Sequence, residues 1–106
     1  MSMTLVTTRN VSPRIRGFLA SVMLEIAAGV YVAPRLSPAV RERAWAVLDE
    51  WFAAETDAAI IMVWADPSLP GGLGINTLGA LPAGLYAVDG MFLARRDVLF
   101  ARTGAD

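Results

Sequence analysis

Residues 4–17 read Thr4-Leu5-Val6-Thr7-Thr8-Arg9-Asn10-Val11-Ser12-Pro13-Arg14-Ile15-Arg16-Gly17: a β-branched run, a serine–proline pair, then the start of a helical pattern. Thr4 to Thr8 has the composition of a strand. Ser12-Pro13 is a helix start signal. A serine oxygen accepts from the first free N–H groups, and proline suits the first turn because it has no N–H to lose. A helix is expected from about Ser12 to Ala27, with Ile15, Leu19, Val22 and Ile26 as its buried stripe. Gly29 is its expected stop.

The same grammar repeats downstream. Val30-Tyr31-Val32 reads as a short second strand, and Ser37-Pro38 repeats the start signal. The second helix carries Val40, Ala44, Val47, Leu48 and Trp51 on one face and is expected to end near Glu55. Ala58 to Trp64 is almost wholly apolar, which suits a central strand covered on at least one face. Asp66 to Gly74 holds two prolines and three glycines and reads as a loop. Leu73 to Leu78 follows as a further strand. Leu81-Pro82-Ala83-Gly84 breaks the chain again, Asp89-Gly90 marks a turn, and Met91-Phe92-Leu93-Ala94 reads as a last short strand. Residues 97–106 show no pattern and are expected to be a disordered tail, leaving one domain over 1–96. Two helices among these strands predict an α+β, ferredoxin-like sandwich, with both helices on one face of a mostly antiparallel sheet. A β-α-β-α-β order can also begin a parallel sheet; the short chain and the lack of later helices favour the first solution.

Composition narrows the chemistry. Of 106 residues, none is cysteine or histidine. Disulfides, thiolate metal sites and the usual general base are therefore excluded. The hydrophobic content of 56% exceeds the roughly 45–50% of ordinary globular usage. A domain this small has little interior, so some apolar surface is expected to meet another subunit. No apolar run approaches a membrane span, and the first ten residues lack a signal-peptide layout. A cytoplasmic location with no membrane partner is the expectation.

The net charge is −1, yet its distribution is uneven. All nine basic residues are arginine, and no acid precedes Glu25. Arg9, Arg14 and Arg16 therefore make the opening purely basic. Arginine at a helix N-terminus opposes the helix dipole by roughly 0.3–1 kcal/mol each. The second helix has the same inversion, with Arg41 and Arg43 early and Asp49, Glu50 and Glu55 late. A bound phosphate would reverse the sign, because dipole, free N–H groups and guanidinium groups would then face one anion. The plain alternative is solvated surface arginine paired with acids elsewhere, and it is stronger for Arg41 and Arg43, where Glu42 intervenes.

Catalytic candidates are few. Asp66 and Asp89 read as turn or cap residues. Gly71-Gly72-Leu73-Gly74 lacks the Lys-Ser/Thr of a phosphate-binding loop. Trp51 and Trp64 read as core, while Trp45 lies off the apolar stripe.

Val6-Thr7-Thr8-Arg9-Asn10-Val11-Ser12-Pro13-Arg14-Ile15-Arg16-Gly17 and Leu24-Glu25-Ile26-Ala27-Ala28-Gly29-Val30-Tyr31-Val32 resemble the CRISPR-associated protein 2 family, type I-E branch. So do the helix after Val40-Arg41-Glu42 and the strand Ile61-Met62-Val63-Trp64-Ala65. The resemblance implies a homodimer seated between pairs of the CRISPR-associated protein 1 integrase. There it holds the double-stranded protospacer DNA without reading its sequence. Arg14 and Arg16 correspond to backbone-clamping positions; Arg9 and Arg41 are further phosphate-contact candidates. Tyr86, Met91, Phe92 and Leu93 fall in segments that resemble dimer and integrase interfaces. No intrinsic cofactor is implied; magnesium or manganese is expected only in the integrase partner. Many relatives carry a metal-binding acid just past strand one. Thr8-Arg9-Asn10 has none, and a cation cannot replace a Mg²⁺ ligand. Gly79-Ala80-Leu81-Pro82 stands where a close relative has a basic pair. Two alternatives stay open: a metal-dependent endonuclease on the same fold, which would need Asp66 or Asp89, and a module that binds a small ligand or a protein.

Overall fold

The computed structural model describes residues 2–79, 85–88 and 91–94, the last two stretches as backbone only. Its elements run β1 (Ser2–Arg9), α1 (Pro13–Val22), β2 (Leu24–Ala27), β3 (Val30–Leu36), α2 (Pro38–Phe52), β4 (Ala59–Ala65), β5 (Leu73–Leu78), β6 (Leu85–Val88) and β7 (Met91–Ala94). A single 3-10 turn, Pro70–Gly72, leads into β5. Strands β1 to β5 form one sheet in the order β2-β3-β1-β4-β5, with every pair antiparallel. That is the α+β, ferredoxin-like arrangement expected. β6 and β7 pair as a separate antiparallel hairpin, Val88 opposite Met91 and Tyr86 opposite Leu93. The Leu81–Gly84 break, the Asp89-Gly90 turn and residues 97–106 lie outside the described residues.

One correction concerns α1. The helix stops at Val22, not near Ala27, and Leu24–Ala27 is an edge strand. Ile15 and Leu19 are buried as expected, but Val22 is 41% and Ile26 57% exposed. Apolar residues four apart fit a helix, yet Leu24 and Ile26 also fit the alternation of a strand. The decision comes from Gly29, which is a hairpin turn and not a helix stop. Its φ is +75°, and a Cβ there would lie 2.9 Å from Thr8 Oγ1. The backbone N–H and hydroxyl of Thr8 both donate to the Gly29 carbonyl, at 2.8 and 3.0 Å. The Gly29 N–H in turn donates to Glu25 Oε2 at 3.0 Å. Strand β1 thus holds the β2–β3 turn in place. The second helix is also shorter than expected, ending at Phe52 before a turn through Glu55.

Both helices pack on the sheet face formed by Val6, Tyr31, Ile60 and Met62, all fully buried with Ile15, Leu19 and Leu48. Trp45, Trp51 and Trp64 are half-buried against this core. The opposite face has no helix. The registers place Leu5, Val32, Val63 and Ile75 across neighbouring strands there, flanked by Leu24 and Leu73. Leu24 is 67% exposed and Leu73 42%.

Candidate nucleic-acid interface

The end of β1 delivers the basic opening to one end of the sheet, where Arg9 pairs in register with Ala59. Asn10 adopts φ +56°, a left-handed conformation that asparagine tolerates. Its amide donates to the Thr56 and Asp57 carbonyls at 3.3 and 3.2 Å. The α2–β4 connection is thereby tied to the start of α1.

That tie brings acids to a stretch that has none of its own. Glu55 Oε1 accepts the Ser12 N–H at 2.7 Å. Asp57 Oδ1 lies 4.0 Å from Arg9 Nη1, with both side chains largely exposed. The Ser12 hydroxyl makes no cap, contrary to expectation, even though Glu55 holds the Ser12 N–H at the entry to α1. Ser37 does cap α2, accepting from the Val40 N–H at 3.2 Å.

Arg14 and Arg16 are both exposed on α1. Two residues apart means about 200° around a helix, so they leave on opposite flanks. The Arg14 guanidinium turns toward α2 and lies over the Trp51 ring, 3.8 Å from its centroid. Phe18, one turn on, meets Trp51 edge-on at 5.5 Å. A cation over an indole face gains about 0.5–1 kcal/mol at an exposed site, which offsets the dipole cost at this helix end. Arg16 leaves on the other flank, where its charge acts on the Tyr31 phenol. Burial pushes the Tyr31 phenol up, and the Glu25 carboxylate adds to the shift while Arg16 opposes it. The Glu25 carboxylate lies beside the Tyr31 hydroxyl without meeting strict hydrogen-bond geometry. Among the described residues neither Arg14 nor Arg16 makes an ion pair.

Arg41 is not part of this group. It sits in the first turn of α2 and stacks over Trp64, 4.2 Å from the ring centroid. Trp64 pairs with Thr4 at the start of β1, whereas Ala59 pairs with Arg9 at its end. Five strand steps separate the two levels, about 17 Å. Arg41 borders a cavity of about 220 Å³, with Ser2, Pro38 and Asp66. Gly74 lies beneath Trp64, where a Cβ would collide with the indole.

Asp66, one of the two carboxylates a nuclease would need, is held in a turn. Its Oδ1 accepts from the Ser68 hydroxyl and N–H at 2.6 and 3.0 Å, and these bonds hold its carboxyl below the usual carboxylate range. Among the described residues no group of three or more acidic side chains converges. Asp89 lies outside the described residues. Tyr86, Met91, Phe92 and Leu93 are in the β6–β7 hairpin, and their side chains lie outside them too.

Sequence reasoning assigned Trp51 and Trp64 to the core and so missed that each carries an arginine. Both helices on one face, as expected, leave the other sheet face open; which residues line it came only from the strand registers. No described helix is long and apolar enough to cross a membrane.

A protein-family model described as "CRISPR-associated protein (Cas_Cas2CT1978)" matches residues 3–93, which covers both helices and all but the end residues of the described strands. The chain belongs to this CRISPR-associated, Cas2-like family.

Proposed function

We propose that the chain is a non-catalytic, dimeric DNA-holding subunit of a CRISPR adaptation complex, of the type I-E kind, working beside the CRISPR-associated protein 1 integrase. Family membership supports the role in adaptation. The observation that carries the DNA-holding role is the pair Arg14 and Arg16. Both are exposed, both sit in the first turns of α1, and neither is neutralised by a described carboxylate. Guanidinium groups bind phosphate through forked N–H donors, and phosphate contacts position a duplex without reading bases. The protein therefore acts as a scaffold that sets where the duplex lies, while strand transfer and its divalent metal belong to the integrase.

The helix-free sheet face supports the dimer reading. It carries Leu5, Val32, Ile61, Val63 and Ile75, with Arg9 at its end in register with Ala59. A second copy covers such a face symmetrically, because an isologous contact matches a patch to itself. Each copy of α1 then brings one Arg14 and one Arg16 to the assembly. The Ser68 turn that engages Asp66 gives the endonuclease alternative no support.

The test is reconstitution. The full chain is mixed with its integrase partner and a short blunt DNA duplex, then followed by size exclusion. A ternary complex that is lost with Arg14→Ala plus Arg16→Ala is expected. A complex that forms equally well with that double variant rules the reading out.

A further inference from the structure

We infer that Trp51 is a positioning residue for the Arg14 guanidinium, fixing it before DNA arrives. The inference rests on the DNA-holding role proposed for Arg14. Three structural observations carry it. The guanidinium lies 3.8 Å from the Trp51 ring centroid. The indole is itself fixed, packed against the buried core on one side and met edge-on by Phe18 at 5.5 Å. Arg14 makes no side-chain hydrogen bond or ion pair among the described residues, so its donors remain open.

Stacking and phosphate binding use different parts of one group. The indole covers the flat face of the guanidinium, whereas its five N–H donors lie in the plane and point outward. Both contacts coexist. The stacking energy is present with and without DNA, so it cancels from the affinity. What remains is the rotamer freedom that Arg14 has already lost on folding and need not lose on binding. That saving corresponds to about two- to tenfold in affinity per guanidinium. Arg16 has no such platform among the described residues and contributes through its charge alone.

The test is a double-mutant cycle on the full-length chain, with a labelled short blunt duplex of mixed sequence at one low salt concentration. Trp51→Leu is expected to weaken binding two- to tenfold per guanidinium. Trp51→Phe, which keeps an aromatic face, recovers part of that loss. In an Arg14→Ala background Trp51→Leu has no further effect on binding, although it lowers the melting temperature in both backgrounds. If leucine unfolds the domain, methionine, which fills irregular gaps, replaces it in the same cycle. An equal loss of binding with and without Arg14 overturns the inference, since the tryptophan would then act through general packing. So does unchanged binding in Trp51→Leu when Arg14→Ala weakens it. If Arg14→Ala itself binds as well as the parent, the DNA-holding role of Arg14 fails first, and the positioning role with it.

Discussion

Removing Arg14 and Arg16 together should change how DNA binding depends on salt, and the size of that change follows from the geometry. Each guanidinium is exposed and unpaired among the described residues, so each is free to neutralise one phosphate. The proposed dimer carries four. Each neutralised phosphate contributes about 0.9 to the slope of log affinity against log salt. The double alanine variant should therefore flatten the slope by about 3.6. Raising salt fourfold would then cost the parent roughly 150-fold more affinity than the variant. Fluorescence anisotropy of a labelled duplex across a sodium chloride series reads this directly. A change near 1.8 would mean that only two of the four guanidinium groups reach phosphate. Parallel slopes would refute the phosphate-contact role of both residues. Arg9→Ala should flatten the slope less, because Asp57 at 4.0 Å already shares its charge. Arg41→Ala reports on reach: it lies about 17 Å along the strand direction from the Arg9 level, so a slope change there requires a duplex that follows the sheet.

Three further outcomes are expected. Val63→Glu places an unpaired charge on the helix-free sheet face and should abolish the proposed dimer in sedimentation experiments, since a buried lone charge costs several kcal/mol; an unchanged mass would rule this face out as the dimer contact. Gly74→Ala forces the Trp64 indole aside, which should cost about 1–3 kcal/mol by overpacking and change the tryptophan emission together with the Arg41 stack; identical emission and urea midpoint would contradict the close approach. For Tyr31 the folded-state pKa is raised, so its contribution to stability is complete below the unfolded tyrosine value of about 10 and is lost as pH rises past it. Tyr31→Phe removes this titration and should flatten the alkaline fall in the urea midpoint; superimposable pH profiles would sink this account.

Much of the architecture was legible along the chain. Ser12-Pro13 and Ser37-Pro38 announce both helices, because the start of a helix has local requirements that a tetrapeptide meets. The β-branched opening and the apolar run ending at Trp64 announce β1 and β4 for the same reason. Arg14 and Arg16 also stood out locally, as cations placed against a helix dipole. What stayed hidden depends on partners distant in sequence. Leu24–Ala27 has no local feature that separates strand from helix; Thr8, some twenty residues earlier, makes it a strand by bonding to the Gly29 carbonyl. The acids that meet the basic opening, Glu55 and Asp57, arrive only when Asn10 ties the two connections together.

By itself the sequence determined the alternation of helix and strand, the lack of histidine and cysteine chemistry, and the basic start of α1. Tertiary structure alone decided which side chains share a surface. It put Arg14 on Trp51 and Arg41 on Trp64, set these two pairs at opposite ends of the sheet, and chose which residues line the helix-free sheet face. Composition and periodicity report what each residue tolerates from its immediate neighbours. Stacking, charge pairing and face coverage depend on antiparallel registers between strands far apart in the chain, and those registers exist only once the sheet has formed.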